Sequence, residues 1–378
     1  MLQTKKEWKL MTRRQQAGFT LIEMMIALIV LLAVSGIVMS GMVQMMKTQG
    51  TIANRTELHT SVRSATELLQ QEIGQAGKIS LPTPPAGVVW AMVTPVNVPA
   101  DIPVTSAVTF NVLSPATALV PNAPVLFEGE WITVDTGLNK ETVQLTCPAG
   151  KGACPFTSNT WNATFYYTHI PIILIPTAVV GVPIRAPGAF STGIVPPAPG
   201  VLPTPPAGYA GYPNGSTGTV LKLYGDINGD GNMIYVEYTC DWQNTVGNGP
   251  MLYRNQMDFD APVKPAITPS MALLTNLDPQ GNPKDQSGNV VPCFTYQVQT
   301  KDGINAVAND MVFVTDVAVT LTVDTQNIDA VTHKVQVETK ALLNVSPRNV
   351  YNAYEFSQYD YLNRIQLTPS VTKTNLFY

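Results

Sequence analysis

The sequence is poor in charge, histidine and cysteine. Of its 378 residues only 13% are Asp, Glu, Lys or Arg, about half the usual share. That scarcity suits a secreted or surface protein better than a cytosolic enzyme. The formal net charge of -4 leaves no whole-chain electrostatic footprint for nucleic acid. The three histidines, His59, His169 and His333, stand far apart and outside any HExxH pattern, so each reads as an incidental surface residue. The chain has no G-x-S-x-G elbow and no P-loop. The sequence therefore points to no catalytic site. Proline is missing from Phe19 to Leu81, a length over which a continuous helix is allowed. Hydrophobic residues make up 45%, enough for a large buried core.

The little charge present is unevenly placed. Lys5, Lys6, Lys9, Arg13 and Arg14 stand against Glu7 in the first 18 residues, a net +4 that leaves -8 for the rest. An apolar run then extends from Leu21 to about Val43, long enough to span a bilayer as a helix. A basic head before such a run stays in the cytoplasm, and everything after it lies outside. A secretory signal has a shorter apolar core, with its small-residue cleavage site after it. Here Gly18 precedes the run. A twin-arginine address at Arg13-Arg14 leaves Glu23 unexplained. A carboxylate in a membrane segment costs about 2.5–3.5 kcal/mol even on lenient scales. Two roles for Glu23 stay open from the residues alone. It can pair with a free amine at Phe19 after a cut behind Gly18, or it can reach the headgroups.

Gly18-Phe19-Thr20-Leu21-Ile22-Glu23, with the basic leader before it and the apolar run after it, resembles the prepilin peptidase motif of type IV pilins and type II secretion pseudopilins. The resemblance implies a leader of residues 1–18 removed by prepilin peptidase. It makes Phe19 an N-methylated mature N-terminus and Glu23 the partner of a neighbouring subunit's terminal amine. Ser40 occupies the region where many major pilins carry proline, which implies a straighter helix. The implied partners are the inner membrane, other minor and major pilins, and the pilus assembly platform. The implied function is a non-enzymatic minor pilin in pilus assembly or priming. The alternatives are a type II secretion pseudopilin and a pilus-tip adhesin.

Beyond the membrane run, Leu58, Val62, Ala65, Leu69, Ile73 and Ala76 recur at steps of three and four, one face of a helix. Arg55, Glu57, Arg63, Glu67 and Glu72 read as the polar residues between them. Gly77 caps this helix and Pro82 ends it. The pattern predicts one helix over 19–77, its first half in membrane or filament and its second half on a globular head.

The head, 78–378, is written in Val, Thr, Pro and Gly. Strands are predicted at Ser106–Leu113, Trp131–Asp135, Thr142–Thr146, Ala163–Thr168, Thr219–Tyr224, Met233–Thr239, Met251–Arg254, Phe294–Thr300, Asp316–Val323 and His333–Val345. Their alternation implies an antiparallel sheet covered on one face. The fold class is α+β, a long N-terminal helix on a mainly antiparallel sheet. The Pro-rich stretch from Pro171 to Pro213 reads as a surface loop or insertion. The C-terminal pair at Val317–Val323 and Val335–Thr339, with Ser346-Pro347-Arg348-Asn349, resembles the end of PilW-type minor pilins and J-type pseudopilins.

Two further sets of residues carry chemistry. Cys147, Cys154, Cys240 and Cys293 fall on the outer side, where disulfides form. Three pairings exist. Local pairing favours Cys147–Cys154 and Cys240–Cys293, contributing roughly 2.5 and 4 kcal/mol by chain entropy. A zinc site is the rival, against which stands the lack of any CxxC pair. Asp226, Asn228, Asp230, Gly231, Asn232 and Glu237 fit D-x-[DN]-x-[DN]-G-x5-E in full. Their alternate oxygens suit calcium, yet the flanks read as strands. A metal-free Asn/Asp/Gly turn is the competing reading.

Overall fold

A computed structural model describes residues 18–81, 90–98, 107–113, 126–148, 154, 158–173, 179–278, 280–301 and 310–377. Residues 1–17 of the predicted 1–18 leader and residues 174–178 of the Pro-rich stretch lie outside it. The chain is α+β, with one long N-terminal helix and a mainly antiparallel β region after it.

Helix α1 runs without a break from Leu21 to Gln75. Of its predicted stripe, Leu58, Val62, Ala65, Leu69 and Ile73 are buried, and Ala76 is buried at its cap. Each large apolar side chain so placed contributes about 1.5–3 kcal/mol. The helix ends where Gly77 takes φ +80°, a conformation that disfavours other residues. A Cβ there would also meet Phe190 O and Val350 Cγ2, each at 3.0 Å. The freed Gly77 N–H donates to Tyr224 O at 2.9 Å, which ties the helix end to the sheet.

The strands are β1 (Ala91–Met92), β2 (Val108–Leu113), β3 (Trp131–Val134), β4 (Glu141–Gln144), β5 (Thr160–Ala163), β6 (Ile172–Ile173), β7 (Val179–Val180), β8 (Val182–Arg185) and β9 (Ala189–Phe190). They continue with β10 (Val220–Gly225), β11 (Ile234–Asp241), β12 (Met251–Asp258), β13 (Ala272–Thr275), β14 (Phe294–Thr300), β15 (Val312–Asp324) and β16 (Val337–Val345). Helix α2 (Arg348–Gln358) and β17 (Ile365–Gln366) follow.

Two lobes result, each with its own core. In the first, α1 covers the antiparallel sheets β10-β11-β12-β13 and β14-β15-β16. A bridge between Leu277 and Val323 joins these sheets. Val317, Val319, Leu321 and Val323 alternate along β15 into the helix-facing core with Leu221, Leu223, Val236 and Leu252. The other face of β10 and β11 is also buried, through Tyr224 and Tyr235, so these strands are hydrophobic nearly throughout. The second lobe is an antiparallel sheet ordered β4-β3-β8-β1-β2-β5. Its core holds Trp90, Phe110, Ile132, Trp161 and Phe165. Phe190 packs between the lobes, 4.7 Å from the Tyr224 ring and 5.9 Å from that of Phe127.

The Pro-rich stretch departs from its reading as a surface loop. Val182, Ile184, Phe190, Ile194, Val195, Tyr209 and Tyr212 are buried. Strand β8 lies inside the six-stranded sheet despite Pro183. The Pro183 carbonyl accepts from Asp135 N–H at 2.9 Å. Its missing donor falls where β3 ends, with Asp135 at φ 70°. Farther on, Val195 N–H donates to Lys222 O, and Gly193 O accepts from Tyr224 N–H, which covers the outer edge of β10. Pro196 and Pro197 serve through their carbonyls, accepting from Ser216 and Tyr212.

Several strand boundaries also differ, with β12 running on to Asp258 and β15 beginning at Val312. The strand predicted at Ala163–Thr168 is β5, Thr160–Ala163. The amides of Tyr166 and Tyr167 instead donate to the Glu141 carboxylate, at 2.8 and 3.0 Å. The last strand begins at Val337 rather than His333, which sits at φ 55° in a turn.

Candidate functional site

The α1 N-terminus is built by a capping box. Thr20, in extended conformation, accepts from Glu23 N–H through its hydroxyl at 3.3 Å. The Glu23 carboxylate accepts from Thr20 N–H at 2.9 Å and from its hydroxyl at 3.0 Å. Two orphan amides of the first turn are thereby satisfied, and the negative charge sits at the positive end of the helix dipole. Glu23 therefore has a local partner that the sequence reading overlooked, although T-x-x-E before an apolar run is its signature. Gly18 and Phe19 precede the box in open space. Phe19 is 83% exposed, and a Cβ on Gly18 would meet nothing within 4 Å.

Beyond the box, the apolar half of α1 is uncovered by the other described residues. Leu21, Ile22, Met25, Ile29, Leu32 and Ile37 are all exposed, in a helix long and apolar enough to cross a membrane. A surface of this extent needs a nonaqueous environment or a partner.

The Asp226–Glu237 set is not gathered about a point. The buried Asp226 carboxylate is held by Lys78 Nζ at 2.7 Å, Ser80 Oγ at 2.6 Å and Gly231 N–H at 3.2 Å. Burial opposes its ionisation, but these donors and the Lys78 charge outweigh burial and hold its carboxyl below the usual range. Asp230 accepts from Asn232 N–H at 2.9 Å. Glu237 stands opposite Lys222 in the β10–β11 ladder. It is engaged there by Lys264 Nζ at 2.9 Å and the Tyr235 hydroxyl at 2.8 Å. Asn228 and Asn232 lie exposed in the turn. As held, these residues do not fit a calcium ion. The strand pleat carries Glu237 toward lysines, and a lysine already fills the cation position at Asp226. Among the described residues no three His, Cys, Asp or Glu form a metal-holding group.

The cysteines pair locally, Cys147 with Cys154 and Cys240 with Cys293. The second pair joins the end of β11 to the residue before β14, with Cα atoms 6.5 Å apart. It clamps the two sheets under α1.

One histidine is not an incidental surface residue. His169 is fully buried, with Asp135 Oδ2 3.0 Å from Nδ1 and Glu141 Oε1 2.7 Å from Nε2. Burial would lower its pKa, but the two carboxylates outweigh burial and raise it above the ordinary 6.5. A raised histidine pKa stabilises fully below the ordinary value, and that contribution is lost as pH rises through the raised one. The second lobe should therefore unfold at lower temperature at about pH 9 than at about pH 6. His169→Gln should flatten that dependence in thermal unfolding. An unchanged slope in the variant would remove His169 as its source.

A model of the prokaryotic N-terminal methylation motif matches residues 13–39. It covers Gly18, Phe19, the capping box and α1 as far as Met39. No curated protein and no solved structure matches the chain.

Proposed function

We propose that this chain is a minor pilin, made as a membrane-anchored precursor and built into a type IV pilus in few copies. The observation that carries this reading is a methylation motif at 13–39 running directly into a helix whose apolar half is left uncovered by its own head. Prepilin peptidase cuts between Gly18 and Phe19, and the new amine is N-methylated. The leader stays in the cytoplasm and the head faces the periplasm until assembly moves it to the cell surface. A new ammonium at Phe19 meets the positive end of the helix dipole, an unfavourable placement. Glu23, four residues on, supplies the compensating charge. In the apolar interior of a filament its carboxylate takes the terminal amine of a neighbouring subunit, where an unpaired charge is costly.

The head of two cores is bulky, which disfavours close repeated stacking and so favours low copy number. Other pilins and the assembly platform are its partners. Quantitative mass spectrometry of purified pili tests this reading. The chain should be present at a small fraction of the major subunit. Its recovery as the bulk subunit would overturn the minor-pilin assignment. Its absence from pili would move it to the secretion pseudopilins that carry the same anchor.

A further inference from the structure

The loop joining β15 to β16 lies at the end of the head nearest the apolar half of α1. Its residues Thr325, Gln326 and Asn327 line a pocket with Asn54, Glu57 and Leu58 of the helix. Thr51 of the helix is among the groups that hold the Asp329 carboxyl below its usual range, which places the loop beside that turn of α1. The opposite end of the same sheet lies at the helix C-terminus, where Asn349 Nδ2 donates to Gln75 O at 3.0 Å. The hairpin therefore points back toward the anchor.

Its surface is unusual for a loop. Ile328 is 65% exposed, Val331 59%, Val335 43% and Val337 55%. Lys334 and His333 are exposed among them. The loop's acid is turned inward: Asp329 is fully buried and accepts from Val331 and Thr332 N–H at 2.7 and 2.8 Å and from the Gln336 side chain. From Gln326 to Val335 the surface thus offers apolar groups, the Lys334 ammonium and no exposed carboxylate. The adjoining helix carries Lys47 and Arg55 over residues 44–56, with the exposed Glu57 of the pocket as its first carboxylate beyond them.

Height along the helix completes the argument. Met45 and Met46 extend the exposed apolar surface, and Thr51 stands about 7–8 Å above Met46 at the helical rise. The headgroup layer adds about 5–8 Å to each side of the hydrocarbon core. Counted from Val43, where the apolar run ends, Thr51 is about 12 Å up, so a loop held beside it reaches the headgroups when α1 tilts toward it by about 20°, the usual transmembrane tilt.

We propose that the 325–337 hairpin is a second foothold on the membrane. Ile328, Val331 and Val335 enter the headgroup boundary, and Lys334 meets anionic phospholipid. Apolar side chains rimmed by cations bind such a surface by burial and by charge together. The contact would fix the tilt of the head before assembly and be released as the subunit leaves the bilayer. It rests on the membrane-anchored reading of α1.

The test uses the full chain in nanodiscs of phosphatidylethanolamine and phosphatidylglycerol. Val331→Cys, Leu138→Cys and Val34→Cys are each spin-labelled, the native cysteines being paired. Collision with a water-soluble nickel chelate is then measured. Position 138, on the far lobe, reports open water, and position 34 reports the anchor. Position 331 should show a severalfold lower collision rate than 138. Ile328→Ser with Val335→Ser should bring it back to the rate at 138. A rate at 331 equal to that at 138, with 34 shielded, overturns the foothold and leaves the anchor standing. Exposure at 34 as well overturns both. Shielding of 331 in filaments but not in nanodiscs assigns the hairpin to a neighbouring subunit and overturns the lipid contact.

Discussion

Replacing Arg254 by alanine should cost the helix-backed lobe about 3–5 kcal/mol, the penalty of leaving a buried charge without its partner. Glu72 lies in the buried face of α1, 4% exposed. Arg254 reaches it from β12 with Nη2 2.6 Å and Nε 3.0 Å from Oε1. The Tyr238 hydroxyl donates to Oε2 at 2.5 Å. The carboxylate thus has a fork of charge-assisted bonds and a third donor. Removing the guanidinium leaves only Tyr238. A loss of this size is a large part of the about 5–15 kcal/mol that a domain has. Glu72→Ala should cost a similar amount, by orphaning Arg254. The double variant Glu72→Leu/Arg254→Met should recover most of the loss, because a well-packed apolar pair often equals a buried ion pair. Urea midpoints at unchanged slope measure all three. An Arg254→Ala variant within about 1 kcal/mol of the parent would show that α1 is held by its apolar stripe alone.

Gly18→Glu should abolish processing while leaving the fold untouched. Most glycine substitutions confound recognition with packing or backbone strain. Here a Cβ has open space around it, and the capping box begins only at Thr20. The folded head is formed from residues far along the chain. Any loss of cutting therefore reports on the peptidase's reading of the site. The expected outcome is an uncut precursor, retaining its cationic leader and excluded from filaments, whose head melts at the parent's temperature. Processing at the parental rate would remove Gly18 from the cleavage site.

The helix was legible because its signals are local. The apolar run, the step of three and four from Leu58 to Ala76, and Gly77 with Pro82 all act within a few turns. The second halves of the strand pairs were legible for the same reason, since alternation along Val317–Val323 is a property of one segment. What was missed depends on partners distant in sequence. Glu72 was placed among the solvated residues of the helix, although it lies three after Leu69 and four before Ala76, on the stripe's own face. Arg254, 182 residues away, and Tyr238, 166 away, make that burial tolerable. His169 was set aside as a surface residue because neither Asp135 nor Glu141 is near it in sequence. Composition suggested that the Pro-rich stretch would not pair. In the fold its carbonyls accept hydrogen bonds, and Pro183 falls where a neighbouring strand stops. The Asp226–Glu237 spacing satisfied a loop pattern, but strand alternation and Lys78 determine where those oxygens go. At the N-terminus, Gly18, Phe19 and Glu23 belong to a short-range pattern, and the methylation-motif match spans them. The capping box is equally local, its T-x-x-E signature lying within the same six residues.

The most direct measurement is the intact mass, with N-terminal sequence, of the chain isolated from its native membrane. A chain beginning at Phe19 and carrying one added methyl group is the predicted result. An uncut chain beginning at Met1, or one cut after the apolar run, would contradict the account and leave an ordinary anchored or secreted protein.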